Sequence, residues 1–471
     1  MVINKSKALA LFFATCVVTR IASSIYYIED ADSLRFALGI LDYDVVKYQP
    51  HFPGYPVYCF LVKIFYFFTN SLAISFSIVG GVAVFCIIYF ISKILDINLQ
   101  TFSGLVFCGV VFFNPLVWLM SNRYMPDLFG LALATVSFYY LSAKSNIKDI
   151  SLGLLFAGLL AGVRLSYMPI LIVPAFYKFF KSEYKIYLIS AFTLGCSLWI
   201  IPLISITGLE NLIIAASKQT EGHFSDFGGT IFTENNLLKR LAAIMRSIWA
   251  DGLGGYWAER SWQTMALSLP MVYILWCGIK ELRLRIDKKT ILVFISFGVV
   301  YAIWIYFFQN VLHKSRHVLP LLIPSFIILH RGSLNLINVK SILSTSILII
   351  FFISLISITS NLVLQHKKYN AITRVKNEIL SADFQYPIAS TPLVNYYLKQ
   401  HGIKNQFLDI KSNEDIKSIM SLGESELFLI GNFKENFLGN YKIISDSVYY
   451  HNPYVNRMWS KLNTYMLNRH E

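Results

Sequence analysis

Charge is scarce in this chain. Only 14% of its 471 residues are Asp, Glu, Lys or Arg, against 55% hydrophobic, and the mean hydropathy is +0.55. A soluble multidomain protein carries roughly 25% charged residues, so that class is excluded and a polytopic membrane protein remains. Cysteine is missing where a disulfide would form. Cys16, Cys59, Cys86, Cys108, Cys196 and Cys277 all lie in apolar segments and none in the hydrophilic tail, so they read as packing residues. There is no zinc-like Cys/His spacing, no Walker loop and no Gly-rich dinucleotide turn after a strand. Internal repeats, Gly/Ser-rich linkers and low-complexity tracts are also lacking. Acids are scarcer than bases, 27 against 41, for a formal charge of +14. Lys and Arg collect in cytoplasmic loops of membrane proteins, so this surplus is a topological signal and no nucleic-acid partner is expected.

What the chain has in quantity is apolar sequence. Runs of roughly 18 to 22 residues recur over positions 1–363, the length a helix needs to cross a hydrocarbon core of about 30 Å. Spans are expected near 8–27, 72–93, 101–121, 126–143, 150–163, 166–180, 185–207, 263–280, 290–309, 317–330 and 340–363, about eleven crossings in all. The first has a basic start and an apolar centre but no small-x-small cleavage site before Tyr26 and Tyr27, so it is read as a retained span. With the N-terminus in the cytoplasm, the inside loops carry Lys93, Lys144, Lys148, Lys178, Lys181, Lys185, the run Lys280–Lys289, Arg331 and Lys340. Counting 55–70 as a crossing would invert this pattern. Its Pro56 start, Lys63 and run of aromatics suit an interfacial or re-entrant helix instead. The two segments flanking Arg164 are expected to be half-length.

The outer side then presents loop 28–71, the turn 121–127, Arg164, loop 208–262 and the turn 310–317. The tail 364–471 should face the same way. It reads as a small α/β domain: helix at 368–381, strand around 386–390, helix at 392–401 and apolar strand at 426–431. The expected architecture is a polytopic α-helical membrane domain, residues 1–363, followed by a small extracytoplasmic α/β domain, residues 364–471.

Chemistry-bearing residues gather in the outer loops. Asp32 opens the stretch Asp32-Ser33-Leu34-Arg35-Phe36-Ala37 just beyond the first span, where it can cap a helix or take a proton from an acceptor as general base. Glu29, Asp30, Asp42 and Asp44 lie in the same loop. Pro50, Pro53 and Pro56 stiffen the turn that presents His51, Tyr55 and Tyr58, as a rigid entry to the next helix or as substrate contacts. Arg123, Arg164, Lys314 and Arg316 are cations of the short outer loops, against the positive-inside trend. An arginine fork suits phosphate oxygens, and at a span end it can equally snorkel to ordinary lipid. Asp127 begins a span, as a cap, a partner of Arg123 or a substrate contact. Glu259 with Arg260 reads as an internal ion pair, and His313 and His317 flank Arg316 as interface histidines or further phosphate contacts.

A first span, an acidic outer loop with Asp32, Ser33, Phe36 and Ala37, a turn from His51 to Tyr58 and an interfacial helix together resemble the GT-C superfamily of membrane glycosyltransferases. The similarity is greatest to its protein O-mannosyltransferase-like branch, which includes the lipid A aminoarabinose transferases. Phe52 stands where a proline is more usual. Residues 121–127, Gly158 to Pro174 and His313 to Pro320 resemble the family's second outer loop, paired short helices and late Arg-x-x-x-Pro turn. The likeness spans about 360 residues in architecture and is sharp only in the first loop.

The resemblance implies an inverting transfer of a sugar from a polyprenyl-phosphate donor to a hydroxyl or amine on a protein, lipid or glycan at the outer face of a bacterial plasma membrane. It makes Asp32 the first candidate for the base and Asp30 the second. Arg123 and Arg316 are the leading phosphate contacts, with Arg164, Lys314, Asp127, His51 and Tyr55 as further substrate-binding candidates. No cofactor is implied. A divalent metal held by Asp30, Asp32 and Asp127 would match the metal-dependent oligosaccharyltransferases of the superfamily, but the nearer branch does not call for one. Loop 208–262 and the tail are expected to shape acceptor access. The rival readings are a lipid-linked polysaccharide polymerase or ligase and a lipid-linked sugar flippase or transporter. Transport should leave ionisable residues at mid-span, whereas most span centres here are clean.

Overall fold

The computed structural model describes residues 5–226, 230–382 and 385–470. Residues 1–4 of the basic start, 227–229 of the large loop, and 383–384 and 471 of the tail lie outside the described residues. The chain forms two compact units, Met1–Ser24 with Phe36–Leu364, and Ile25–Arg35 with Gln365–Glu471. Residues 25–35, which open the first outer loop, cluster with the second unit.

The first unit is helical throughout. It begins with α1 (Lys5–Ala22), and the second helix α2 (Ala31–Leu41) is divided between the units after Arg35. Next come α3 (Pro56–Thr69), α4 (Leu72–Ile94), the pair α5 (Phe102–Phe112) and α6 (Pro115–Asn122), α7 (Asp127–Ala143), α8 (Ile147–Arg164), α9 (Pro169–Lys181) and α10 (Lys185–Thr207). The large loop contributes α11 (Leu209–Glu221) and α12 (Leu237–Arg246). Then follow α13 (Gln263–Leu284), α14 (Lys288–Val293), α15 (Tyr301–Phe308), α16 (Leu322–Val339) and α17 (Ile342–His366).

All the segments expected to cross are helical. Among the described residues seven helices are long and apolar enough to span a membrane, and eight when the pair α5–α6, bent by 60°, counts as one. This is an integral membrane protein. The remaining segments depart from that measure for local reasons: α1 carries Lys5, Lys7 and Arg20, α7 has 17 residues and α9 has 13. The segment before Arg164 is longer than half-length, because Asn146 caps α8 one turn earlier than expected and a 3-10 turn extends it, giving a 21-residue span Ile147–Tyr167. Helix α3, with 14 residues, is about 21 Å long, short of a hydrocarbon core of about 30 Å.

Packing relies on close backbone approach, because lipid offers little apolar driving force between helices. A Cβ at Gly332 of α16 would sit 1.9 Å from the Ile274 carbonyl oxygen of α13, and one at Gly278 would sit 2.0 Å from that of Ile328. We expect Gly332→Ala to force these helices apart and cost about 1–3 kcal/mol, the range for overpacking. Thermal denaturation in detergent would show it as a lowered midpoint, and an unchanged midpoint would mean the crossing is looser than these distances.

The bend between α5 and α6 frees carbonyls that lipid cannot satisfy. Arg20 donates through Nη2 to the Phe112 oxygen at 2.9 Å, and its guanidinium lies over the Trp118 ring at 3.8 Å. Thr359 Oγ1 donates to the Phe113 oxygen at 2.6 Å. Asn114 caps α6 and donates to the Gly252 oxygen at 2.7 Å. Asn122, at the end of α6, donates to the Arg20 oxygen at 2.8 Å and to Ser77 at 2.9 Å, so the turn that follows begins from a fixed point.

The second unit contains α18 (Ala371–Ala382), β1 (Ile388–Ser390), α19 (Pro392–Gln400), β2 (Phe407–Asp409), α20 (Asn413–Ser421), β3 (Glu426–Ile430), α21 (Lys434–Phe437), β4 (Tyr441–Tyr450) and β5 (Lys461–Arg469). The sheet order is β2-β1-β3-β5-β4. Strand β1 runs parallel to β2 and β3, and β5 runs antiparallel to β3 and β4. Its core gathers Ala389, Ile416, Ile419, Leu427, Leu429, Phe437 and Leu467. The helices around 371 and 392 and the strands around 388 and 426 fall where their patterning puts them. Strands β2, β4 and β5 and helix α20 were not expected: β2 has three residues, and β4, exposed along most of its length, lacks the alternation that marks a strand.

Candidate active site

In the first unit the site is built where three helix ends meet. Asp127 is the first residue of α7 and is 1% exposed. Its Oδ1 lies 2.8 Å from Arg164 Nη2, at the end of α8, and 3.7 Å from Arg316 Nε, in the turn Ser315–Leu321 that leads into α16. Two guanidinium groups, each with a side chain only 10% exposed, thus share one buried carboxylate. Such a pair survives burial only with good geometry and further hydrogen bonds, and Arg164 supplies them. Its Nη1 is 3.4 Å from the Tyr55 hydroxyl and its Nη2 is 3.4 Å from His317 Nδ1. Tyr55 in turn meets His51 Nε2 at 3.0 Å, and Tyr301 donates to the His317 oxygen at 3.1 Å. The sequence offered Asp127 a cap, a bond to Arg123 or a substrate contact; the structure pairs it with Arg164 and Arg316.

The proline turn is held by a glycine. Gly54 has φ +82°, and a Cβ there would meet the Tyr43 hydroxyl at 2.4 Å. Tyr43 donates to the Gly54 oxygen at 2.9 Å, and Tyr55 follows in the left-handed region at φ 47°. This bend places Tyr55 at the start of α3, facing Arg164. Phe36 packs edge-on to Tyr55, with ring centroids 4.9 Å apart. Arg123 directly follows α6 and is buried, and Tyr58 donates to the Met125 oxygen at 2.7 Å just beyond it. Lys314 is half-buried at the start of the turn holding Arg316, while His313 is exposed. Arg260 donates to the backbone oxygens of Ala250 and Gly255, which ties it to its own loop.

The acids of the first loop have separate roles. Asp30 caps α2: its Oδ1 accepts from Ser33 N at 2.8 Å and its main-chain oxygen from Leu34 N at 2.9 Å. Its Oδ2 accepts from Asn456 Nδ2 at 3.0 Å. Asp32, the residue expected to be the alternative cap, sits instead within the first turn, with its Oδ1 3.7 Å from Arg35 Nη1. The helix dipole favours a negative charge there. Glu29 is buried against His366 at 3.0 Å, and Asp44 pairs with Lys47 at 3.0 Å within its turn. Burial raises the Tyr397 phenol well above its ordinary pKa, which keeps it protonated to donate to the Ile28 oxygen.

Patterning alone gave no sign of Tyr301, of the Arg20 anchor or of Asn456. Arg20 was visible as a cation in an apolar run; Tyr301 and Asn456 carry no local signature. Among the described residues no group of three His, Cys, Asp or Glu side chains is arranged to hold a metal ion.

No protein-family model matches the sequence, and no curated protein matches it. In structure the chain is similar to ArnT from Cupriavidus metallidurans bound to undecaprenyl phosphate, with a TM-score of 0.56, 8% identity and 98% of both chains covered. The apo form of that protein gives a TM-score of 0.54 at 9% identity, again with 98% of both chains covered. At so low an identity the likeness speaks for the fold: this chain has the GT-C fold of ArnT from end to end.

Proposed function

We propose that the protein is a membrane glycosyltransferase that moves a sugar from a polyprenyl-phosphate-linked donor to a hydroxyl or amine at the outer face of a bacterial plasma membrane. The observation that carries this reading is the pair of buried arginines, Arg164 and Arg316, gathered on Asp127 at a helix junction of a GT-C fold. ArnT of that fold was solved with undecaprenyl phosphate. Asp32 accepts the proton of the acceptor as its oxygen or nitrogen attacks the anomeric carbon. The bond from that carbon to the phosphate oxygen breaks, and polyprenyl phosphate leaves with the electron pair. Arg316 and Arg123, with Lys314, meet the charge that develops on the phosphate. Arg164 holds Asp127 and Tyr55 in place, and the Tyr55–His51 pair lines the donor side. In this reading the arginines take the part that a metal would otherwise play.

The test is direct. Purified protein should bind undecaprenyl phosphate, and Arg316→Ala should weaken that binding at least about tenfold, as expected for losing a charge-assisted fork. In the native cell, deletion should accumulate one polyprenyl-phosphate sugar and remove one glycan residue, both read by mass spectrometry. Absence of binding together with an unchanged glycan profile would reject the reading and favour transport of a lipid-linked sugar. Loss of long polymer rather than of a single residue would favour a polymerase or ligase.

A further inference from the structure

Segment 25–35 leaves α1 carrying the candidate base, and it is bonded to residues from His366 to Asn456 of the same unit. Tyr27 donates to the His366 oxygen at 2.9 Å. The Ile28 oxygen accepts from Tyr397 and from Thr373 Oγ1, and the Glu29 oxygen accepts from Asn370. The bond closest to the chemistry is the one from Asn456, in loop 451–460 between β4 and β5, to Asp30 Oδ2 at 3.0 Å. Both residues are buried, at 6% and 1% exposure. The orientation of the Asn456 amide follows from its partners: Oδ1 accepts from Met458 N at 3.0 Å, which leaves Nδ2 to face Asp30.

We infer that Asn456 is a positioning residue for glycosyl transfer: by holding the Asp30 cap, it sets the first turn of α2 and with it the Asp32 carboxylate. This rests on the reading of Asp32 given under Proposed function. Asp30 and Asp32 stand about 3 Å apart along the helix axis, at 1.5 Å per residue, so a shift of the cap is passed to the base almost undiminished. A general base must lie within roughly 2.6–3.2 Å of the proton it takes, and about 1 Å of misplacement can cost about 100-fold. On this view loop 451–460 acts on the candidate base through one amide.

The experiment compares Asn456→Asp, Asn456→Ala, Asp30→Asn and the double variant Asp30→Asn/Asn456→Asp in the native cell lacking the chromosomal copy. Two quantities are read: the glycan residue transferred, and the affinity of each purified protein for undecaprenyl phosphate. Asn456→Asp sets a second carboxylate against Asp30 and should lower transfer by about tenfold or more, with affinity within about twofold of wild type. The double variant restores the bond with donor and acceptor exchanged, while the amide oxygen at position 30 still accepts from Ser33 N. It should recover transfer to within about threefold of wild type. Wild-type transfer by both Asn456 variants overturns the inference, and so does a double variant no better than Asn456→Asp, which would make Asp30 the reacting acid. Should Asn456→Asp fail to accumulate, Asn456→Ala decides alone: lost transfer with retained binding supports the inference, and unaltered transfer overturns it. A wild-type protein that neither binds undecaprenyl phosphate nor alters any glycan removes the functional reading and this inference together.

Discussion

Asp32→Asn is expected to lower glycosyl transfer by roughly 10²- to 10⁴-fold, the contribution of a positioned general base, while leaving the fold and undecaprenyl phosphate binding intact. The substitution keeps the size of the side chain and its place in the first turn of α2, and Asp30 rather than Asp32 caps that helix, so little stability is at stake. The pairing with Arg35, 3.7 Å away, is given up in the variant. The measurement is the glycan residue itself, by mass spectrometry, in cells carrying only the variant. A polyprenyl-phosphate sugar should accumulate as in the deletion. Unaltered transfer would move the base to Asp30 or Asp127 and reduce Asp32 to a favourable charge on a helix dipole.

Asp127→Asn is expected to fail for a different reason, by destabilising the protein. The carboxylate is shared by Arg164 at 2.8 Å and Arg316 at 3.7 Å, and all three groups are nearly closed to water. Neutralising it leaves two buried guanidinium groups facing each other, and breaking a buried pair in this way costs about 3–5 kcal/mol. The thermal midpoint in detergent should fall sharply, and undecaprenyl phosphate binding should fall with it as Arg316 loses its anchor. Arg164→Lys, with Asp127 intact, should lower the midpoint less, since it keeps the charge that pairs with Asp127 but not the fork that also reaches Tyr55 and His317. A midpoint for Asp127→Asn within a degree or so of wild type would show that the arginines are neutralised elsewhere, and the cluster would lose its place as the keystone of the site.

Much of this arrangement was legible in the amino-acid sequence, and the parts that were not share a cause. Cations at the ends of apolar runs stand out because lipid tolerates them poorly, so Arg123, Arg164 and Arg316 could be named, and the convergence of two of them on Asp127 is what folding adds. The proline turn announced Tyr55 and His51, but not that Tyr55 would face Arg164 across 109 positions of chain. For the cap of α2 the sequence offered Asp32, as one of two readings of that residue, and the structure uses Asp30, two positions earlier. Asp30 and Asp32 are equally good caps by residue type, and the choice goes to Asp30, whose other oxygen is taken by an asparagine 426 positions away. No local pattern encodes such a partner. Strand β4 was missed for the related reason that a strand exposed on most of its length shows no alternation.

The bend between α5 and α6 bears on how the chain is assembled. Its two exposed carbonyls are closed by residues from opposite ends of the first unit, Arg20 from the first span and Thr359 from the last, the latter 246 positions downstream of its acceptor. During synthesis Arg20 is in the membrane before α5 and α6 emerge, so the Phe112 oxygen finds its partner at once. The Phe113 oxygen has to wait until α17 has been made, and an unsatisfied carbonyl in hydrocarbon costs several kcal/mol. The bend thus has both of these carbonyls satisfied only once α17 has been made, and the turn after α6, which carries Arg123 and leads into Asp127, starts from that bend.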